Sequence, residues 1–387
     1  MLTRRRFLAS SSLLALAPTV PLFIARTARA SAPDKDRRAL VVVQLDGGND
    51  ALNTIVPHAD PTYEKLRPKL KVAAKSAVKL TDAVGLHPSL KPFDKLLQAG
   101  QLAAIPGVGY PNPNRSHFES MAIWHTARFD PEERKGYGWL GRALDPSAGT
   151  AYAVGGSVPG SLRGRRSAAI SLNRIEEVLL AEKSAKPQAA GGSDNLLAFV
   201  RRQAVDAQDA ADKLANLAGG SDGGRYPATT LGERLKLVAR LMKADLGARV
   251  YYTTQGGFDT HAAQQFAHSG LLSEFAGAVA AFFDDLTAAK LADRVTLLAF
   301  SEFGRTIQEN GSGGTDHGTA GAAFLAGPGV VGGLFGTMPS LTDLDGGEPK
   351  MTADFRRVYT SVLTDWLGLP ADGLGGTFEP LPLFRKA

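Results

Sequence analysis

An α/β fold, a mostly parallel sheet flanked by helices, is what the sequence predicts. Two observations predict it: short apolar runs that break at once into glycine or a polar cluster, and segments of helical period between them. The first strand, Ala39–Leu45 (ALVVVQL), runs into Asp46-Gly47-Gly48-Asn49-Asp50. A helix-like segment at 89–98 follows, then a strand at 102–105 that meets Pro106-Gly107. A helix at 233–246 leads to a strand at 250–253 ending in Gln255-Gly256-Gly257-Phe258-Asp259. Leu271, Leu272, Phe275, Val279, Phe282, Phe283 and Leu286 then recur near helical spacing over 271–289. The last run, 294–300 (RVTLLAF), enters Ser301-Glu302-Phe303-Gly304.

The middle of the chain departs from this alternation. An amphipathic pattern at 195–217, bracketed by Gly191-Gly192 and Gly219-Gly220, predicts a helical insertion near 182–227 within a single domain covering 31–387. Ahead of that domain, residues 1–30 carry Arg4-Arg5-Arg6-Phe7-Leu8, an apolar stretch, and Ala28-Arg29-Ala30. These are the three regions of an export signal, in the form read by the twin-arginine translocase, which moves proteins already folded. Ser10 to Ser12, Pro18 and Pro21 interrupt the apolar stretch, so it falls short of the roughly 20 apolar residues that a stable membrane anchor needs. The expected location is the periplasm or outside the cell.

Charge and cysteine usage exclude several classes of function. The chain has 44 Lys+Arg against 38 Asp+Glu, but five arginines and no acid lie in the signal, leaving 39 against 38. A nearly neutral mature protein offers no nucleic-acid surface. With no cysteine, disulfides, thiolate metal sites, iron–sulfur clusters and a cysteine nucleophile are all ruled out.

In an open α/β sheet, ligands bind beyond the carboxyl ends of the strands. Asp46, Asp259 and Glu302 each follow a different predicted strand, so three distant positions converge on one edge. His261 lies two residues after Asp259, and His317 sits in the glycine-rich segment Gly313-Gly314-Thr315-Asp316-His317-Gly318. A mixed Asp/Glu/His shell predicts a divalent metal, zinc or manganese first, with calcium or magnesium as oxygen-preferring alternatives. Singly, each carboxylate also reads as a helix cap or turn former. Ser116, in the polar turn 111–120 that opens a helix-like run, is either an N-cap or a hydroxyl facing free N–H groups, where an anionic ligand is favoured. No Gly-x-Ser-x-Gly elbow, P-loop or dinucleotide fingerprint is present.

Five stretches together span nearly the whole mature chain: VVVQLDGGNDALNTIVP, PNPNRSHFESMAIWHTA, GGFDTHAAQ, LLAFSEFGRTIQENGSGGTDHG and DFRRVYTSVLTDWLG. With them the chain resembles the family called domain of unknown function 1501, which looks like a branch of the alkaline phosphatase and sulfatase superfamily. The resemblance implies an alkaline-phosphatase-like fold with two divalent metals at the carboxyl edge and a metal-dependent hydrolase of phosphate, sulfate or related esters. It implies Asp46, Asp259, His261, Glu302 and His317 as metal ligands and Ser116 as nucleophile. Arg305 or Arg115 would then clamp the anionic oxygens of a small or polymer-linked ester. Two departures from the superfamily pattern stand out: Asp259 and His261 are two residues apart rather than four, and Phe303 replaces an expected histidine. They imply a weakened or missing metal site. The alternative is a non-catalytic exported binding or assembly protein on the same fold.

Overall fold

The computed structural model describes residues 37–147, 149–173, 224–245 and 247–386. The signal read at 1–30 and the arm expected at 195–217 lie outside the described residues, as does most of the insertion placed near 182–227. One sheet organises the described chain. Its strands are β1 (Ala39–Leu45), β2 (Leu102–Gly109), β3 (Thr150–Val154), β4 (Ala168–Leu172), β5 (Val250–Gln255), β6 (Val295–Phe300), β7 (Gly321–Ala326), β8 (Gly333–Leu334) and β9 (Ala353–Asp354). They lie in the order β8-β2-β7-β6-β1-β5-β3-β4, with β9 paired to β2 beside that path. Every pairing is parallel except the two that β7 makes with β2 and β6. The sheet is therefore mostly parallel, as expected.

The main helices are α1 (His117–Thr126), α2 (Trp139–Leu144), α3 (Thr230–Lys243), α4 (Gln264–Ala288) and α5 (Phe355–Ser361). β1 shows why its sequence is an unbroken apolar run. Val41, Val43 and Leu45 join Leu235, Val238, Phe275 and Phe282 of α3 and α4 in one core. Leu40 and Val42 join Trp124 of α1, Leu140 of α2 and Tyr359 of α5 in a second core on the opposite face. With helices on both faces, neither side of the strand tolerates polar residues. α4 is long and apolar enough to cross a membrane by composition, but half of its apolar window is buried in this fold.

Trp124 fixes the position of α1. Its ring stacks on Phe300 at the end of β6, with centroids 4.8 Å apart, and on Phe355 at 4.5 Å. Such contacts add about 0.5–1.5 kcal/mol each beyond the area they bury, and here they hold the start of α1 over the carboxyl edge of the sheet. α3 begins with Thr229, whose side chain accepts the Gly232 N–H at 3.2 Å. Thr229→Ala is expected to cost about 1 kcal/mol, read as a fall of about 2 °C in the thermal midpoint.

The boundaries differ from expectation in physically simple ways. The helix expected at 89–98 is a 3-10 segment, Pro88–Phe93, followed by a short α-helix, because Pro92 denies the α-helical bond. β2 continues through Pro106 and Gly107 to Gly109, with an irregularity in its pairing where Gly321 and Ala322 face it. Pro106 supplies no N–H, and the local shift of register accommodates it.

Candidate metal centre

β1, β5 and β6 end side by side, and the turns leaving them are stitched together. Asp46 N–H donates to Gln255 O at 2.8 Å, and Phe258 N–H donates to Asp46 O at 3.2 Å. Gly47 permits this closeness: its φ is +117°, and a Cβ there would sit 2.5 Å from Asp259 N. A further segment, 302–320, folds back on itself through a bridge between Arg305 and His317, with Thr306 N–H donating to Asp316 O at 2.9 Å. These turns and the start of α1 meet at one point.

At that point stands Asp259. Its Oδ1 lies 3.0 Å from His261 Nε2, 3.1 Å from His317 Nε2 and 3.5 Å from His117 Nε2. His261 Nε2 and His317 Nε2 are 3.0 Å apart. His117, Asp259 and His317 each offer a ligand atom within 4.8 Å of the other two. The opposite ring nitrogens fix the tautomers. His117 Nδ1–H donates to Glu302 Oε1 at 2.7 Å, His261 Nδ1–H to Asp316 Oδ1 at 2.8 Å, and His317 Nδ1–H to the Arg115 carbonyl at 2.8 Å. Each of these partners can only accept, so in the neutral rings Nε2 carries the lone pair. His117 Nε2 is buried and has no hydrogen-bond partner among the described residues.

Electrostatics matches the geometry. Partial burial pushes the Asp259 pKa up, but the bond from Arg305, a bond from His317 when that ring is doubly protonated, and the charges of Arg305 and protonated His261 outweigh it and pull the value down to about 2. His117 is shifted up, first by its bond to Glu302. Asp46 is also shifted up, by partial burial of its carboxyl and then by the charge of Glu302. Asp316 is shifted down, first by its bond to His261.

The residues singled out in the sequence fall into two groups. Asp259, His261 and His317 are brought together. Glu302 is almost wholly buried, with Oε1 accepting the Gly47 N–H at 3.0 Å and Oε2 the Ser301 hydroxyl at 3.0 Å, so it stands behind His117. Asp46 is on the same edge with one oxygen accepting the Gln44 amide at 3.0 Å. Arg305 differs most from expectation. Instead of facing substrate it is buried, donating to the carbonyls of Gly47, Gly48, Phe258 and Thr315 and reaching Asp259 Oδ1 at 2.6 Å. A side chain so enclosed locks three turns together and cannot clamp an ester. Arg115 remains exposed.

Ser116 occupies the N-cap of α1 by backbone conformation, yet its side chain makes no capping bond, unlike Asp50, Asp60, Asp130, Thr229 and Asp354 at other helix starts. Its hydroxyl is exposed and uncommitted to the cap. His117, the next residue, was missed in the sequence. The available signal was its place as first residue of the helix, because helical side chains lean toward the N-terminus and so over the strand edge.

Among solved structures, the chain is similar to the C-terminal periplasmic domain of EptC from Escherichia coli in complex with zinc, at 9% identity and a TM-score of 0.39, covering 76% of this chain and 75% of that one. It is similar to the lipoteichoic acid synthase LtaP from Listeria monocytogenes at 10% identity and a TM-score of 0.37, covering 85% and 79%. The alkaline phosphatase from the Antarctic bacterium TAB5 aligns at 12% identity and a TM-score of 0.31, covering 76% and 92%. No curated protein matches the chain in sequence. A family model does match, over residues 37–356, and the chain belongs to that family, described as Protein of unknown function (DUF1501).

Proposed function

We propose that the chain is an exported, metal-dependent hydrolase of phosphate, sulfate or related esters. One observation carries this reading. Asp259 Oδ1 and the Nε2 atoms of His117, His261 and His317 are four acceptors turned toward one another, with Arg305 as the protein donor among them. A divalent cation stabilises such a set, and without a cation or protons the lone pairs repel. Imidazole and carboxylate donors suit zinc, then manganese; calcium and magnesium prefer all-oxygen shells.

Asp259, His261 and His317 would hold the ion, with Asp316 and the Arg115 carbonyl orienting the two rings from behind. When bound, it supplies Lewis acidity toward an ester oxygen and lowers the pKa of a nearby hydroxyl or water. Arg115 pairs with the anionic oxygens of the ester, and the first-turn N–H groups of α1 donate to the same oxygens. Ser116 loses its hydroxyl proton to solvent as Oγ attacks phosphorus or sulfur. The bond to the leaving alkoxy oxygen breaks, that oxygen takes a proton from water, and a second water releases the acid from Ser116. The signal-like segment at 1–30 supports export through the twin-arginine translocase to the periplasm or beyond, without a lasting membrane anchor.

A second reading has one observation in its favour. With His117 Nε2 as a fourth donor, protein alone fills the shell, as in structural zinc sites, and the chain is then an exported binding or assembly protein. Zinc content and initial rates on aryl phosphates and sulfates, measured for wild type, Ser116→Ala and His117→Ala, separate the two. The hydrolase reading expects zinc to be retained in both variants and the rate of Ser116→Ala to fall by roughly 10³-fold or more. An inactive wild type that loses its zinc in His117→Ala overturns it and leaves the second.

A further inference from the structure

We propose that this centre binds one divalent ion per chain, the room and the charge that a second would need being taken by Phe303 and Arg305. The inference rests on the metal-centre reading above and concerns its stoichiometry. Beyond Asp259, His261 and His317, the donors near this edge are His117, Asp316, Glu302 and Asp46. Asp316 is turned to His261 Nδ1 and to the Asn310 amide. Glu302 accepts three bonds, from the Gly47 N–H, the Ser301 hydroxyl and His117, and is 1% exposed. Drawing it onto an ion would leave buried donors unpaired. Asp46 and Asp316 each keep one oxygen outside these bonds, but Asp316 stands behind His261 and His117 Nε2 already faces Asp259 Oδ1 at 3.5 Å, so Asp46 is left as a single carboxylate, which does not make a shell.

The space is closed as well. Phe303 is 2% exposed, and its ring centroid lies 4.9 Å from that of His117 and 5.0 Å from that of His317. On its other side the ring presses on Gly48, where a Cβ would fall 2.3 Å from Cε2. An apolar ring thus fills the gap between the loop after Asp46 and the histidines. The second positive charge is already built in. Arg305 sits 2.6 Å from Asp259 with four backbone carbonyls around its guanidinium, so it cannot leave without orphaning them. A guanidinium has no lone pair to offer a metal, and beside the Asp259 carboxylate it repels further cations.

The test is metal content per chain by mass spectrometry on full-length protein dialysed against excess zinc, with a folding check by circular dichroism. The expected result is one zinc per chain in wild type, rising toward two in Phe303→His and returning to one in Phe303→His combined with Asp46→Ala. Two zinc ions per chain in wild type overturn the inference while leaving the metal-centre reading intact. A folded Phe303→His variant that stays at one overturns the role given to Phe303. A folded wild type with no zinc overturns the metal-centre reading and this inference with it. Wild-type stoichiometry decides the main claim even if the histidine variant does not fold.

Discussion

Asp259→Ala is expected to abolish stoichiometric zinc binding and to lower ester hydrolysis by roughly 10³-fold. Among the described residues, Asp259 Oδ1 is the one anionic atom within 3.5 Å of all three Nε2 atoms. Without it the donors left in the centre are imidazoles, beside the buried Arg305 guanidinium, which repels a dication. The variant also removes one acceptor from Arg305, but four carbonyls remain. The stability loss is therefore expected to stay near 1–3 kcal/mol. Asp259→Asn separates the two effects, because it keeps a carbonyl oxygen for Arg305 and removes the charge. Metal content and initial rates on both variants, alongside thermal midpoints, check the prediction. Full zinc occupancy in Asp259→Ala would count against the centre as described.

Asp50→Ala is the substitution expected to damage folding most, by about 3–5 kcal/mol. Asp50 and Arg67 form an ion pair at 2.6 Å with both side chains fully shielded from solvent. Arg67 is further held by the carbonyls of Thr306 at 2.7 Å and Ile307 at 2.8 Å, so it cannot swing out to water when its partner is removed. Asp50 also accepts the Gln264 side-chain amide and caps the helix Ala51–Thr54. Burial alone would raise its pKa, but the charge and bonds of Arg67 outweigh burial and hold it below the ordinary value of 3.8. A carboxyl depressed in the folded state stabilises above its unfolded pKa. That contribution is lost as pH falls below about 4 toward the folded value. Urea midpoints from pH 7 down to pH 3 should fall in wild type and fall less steeply in Asp50→Ala, whose stability no longer depends on that proton. Equal slopes in the two proteins would show that another group carries the acid sensitivity.

How much of this was legible in the sequence depended on composition. β1, β5 and β6 announced themselves through Val, Leu, Tyr and Phe, and their ends correctly marked the edge where Asp46, Asp259 and Glu302 gather. β7 did not, because GAAFLA is mostly alanine and glycine, residues with little intrinsic preference for strands. It exists because it fits between β2 and β6. β3 and β4 were missed for a similar reason, with alanine at two of the five positions in each. In the centre, sequence reasoning could find carboxylates at strand ends but not their directions. Asp259 points into the cluster and Glu302 behind it, and that difference follows from Ser301 and Gly47 offering Glu302 its donors. His117 was hidden by its neighbour, since Ser116 drew attention as the residue type that usually caps.

The bond from His317 to the Arg115 carbonyl joins positions 202 residues apart, and β7, the strand that links β2 to β6, comes later still in the chain. During synthesis, then, the emerging polypeptide has neither a complete set of donors nor a continuous sheet until more than four-fifths of it has left the ribosome. Any ion is acquired by a nearly finished molecule rather than by a growing one. A ribosome that stalls or terminates before residue 317 leaves a product without one of the donors of the proposed centre.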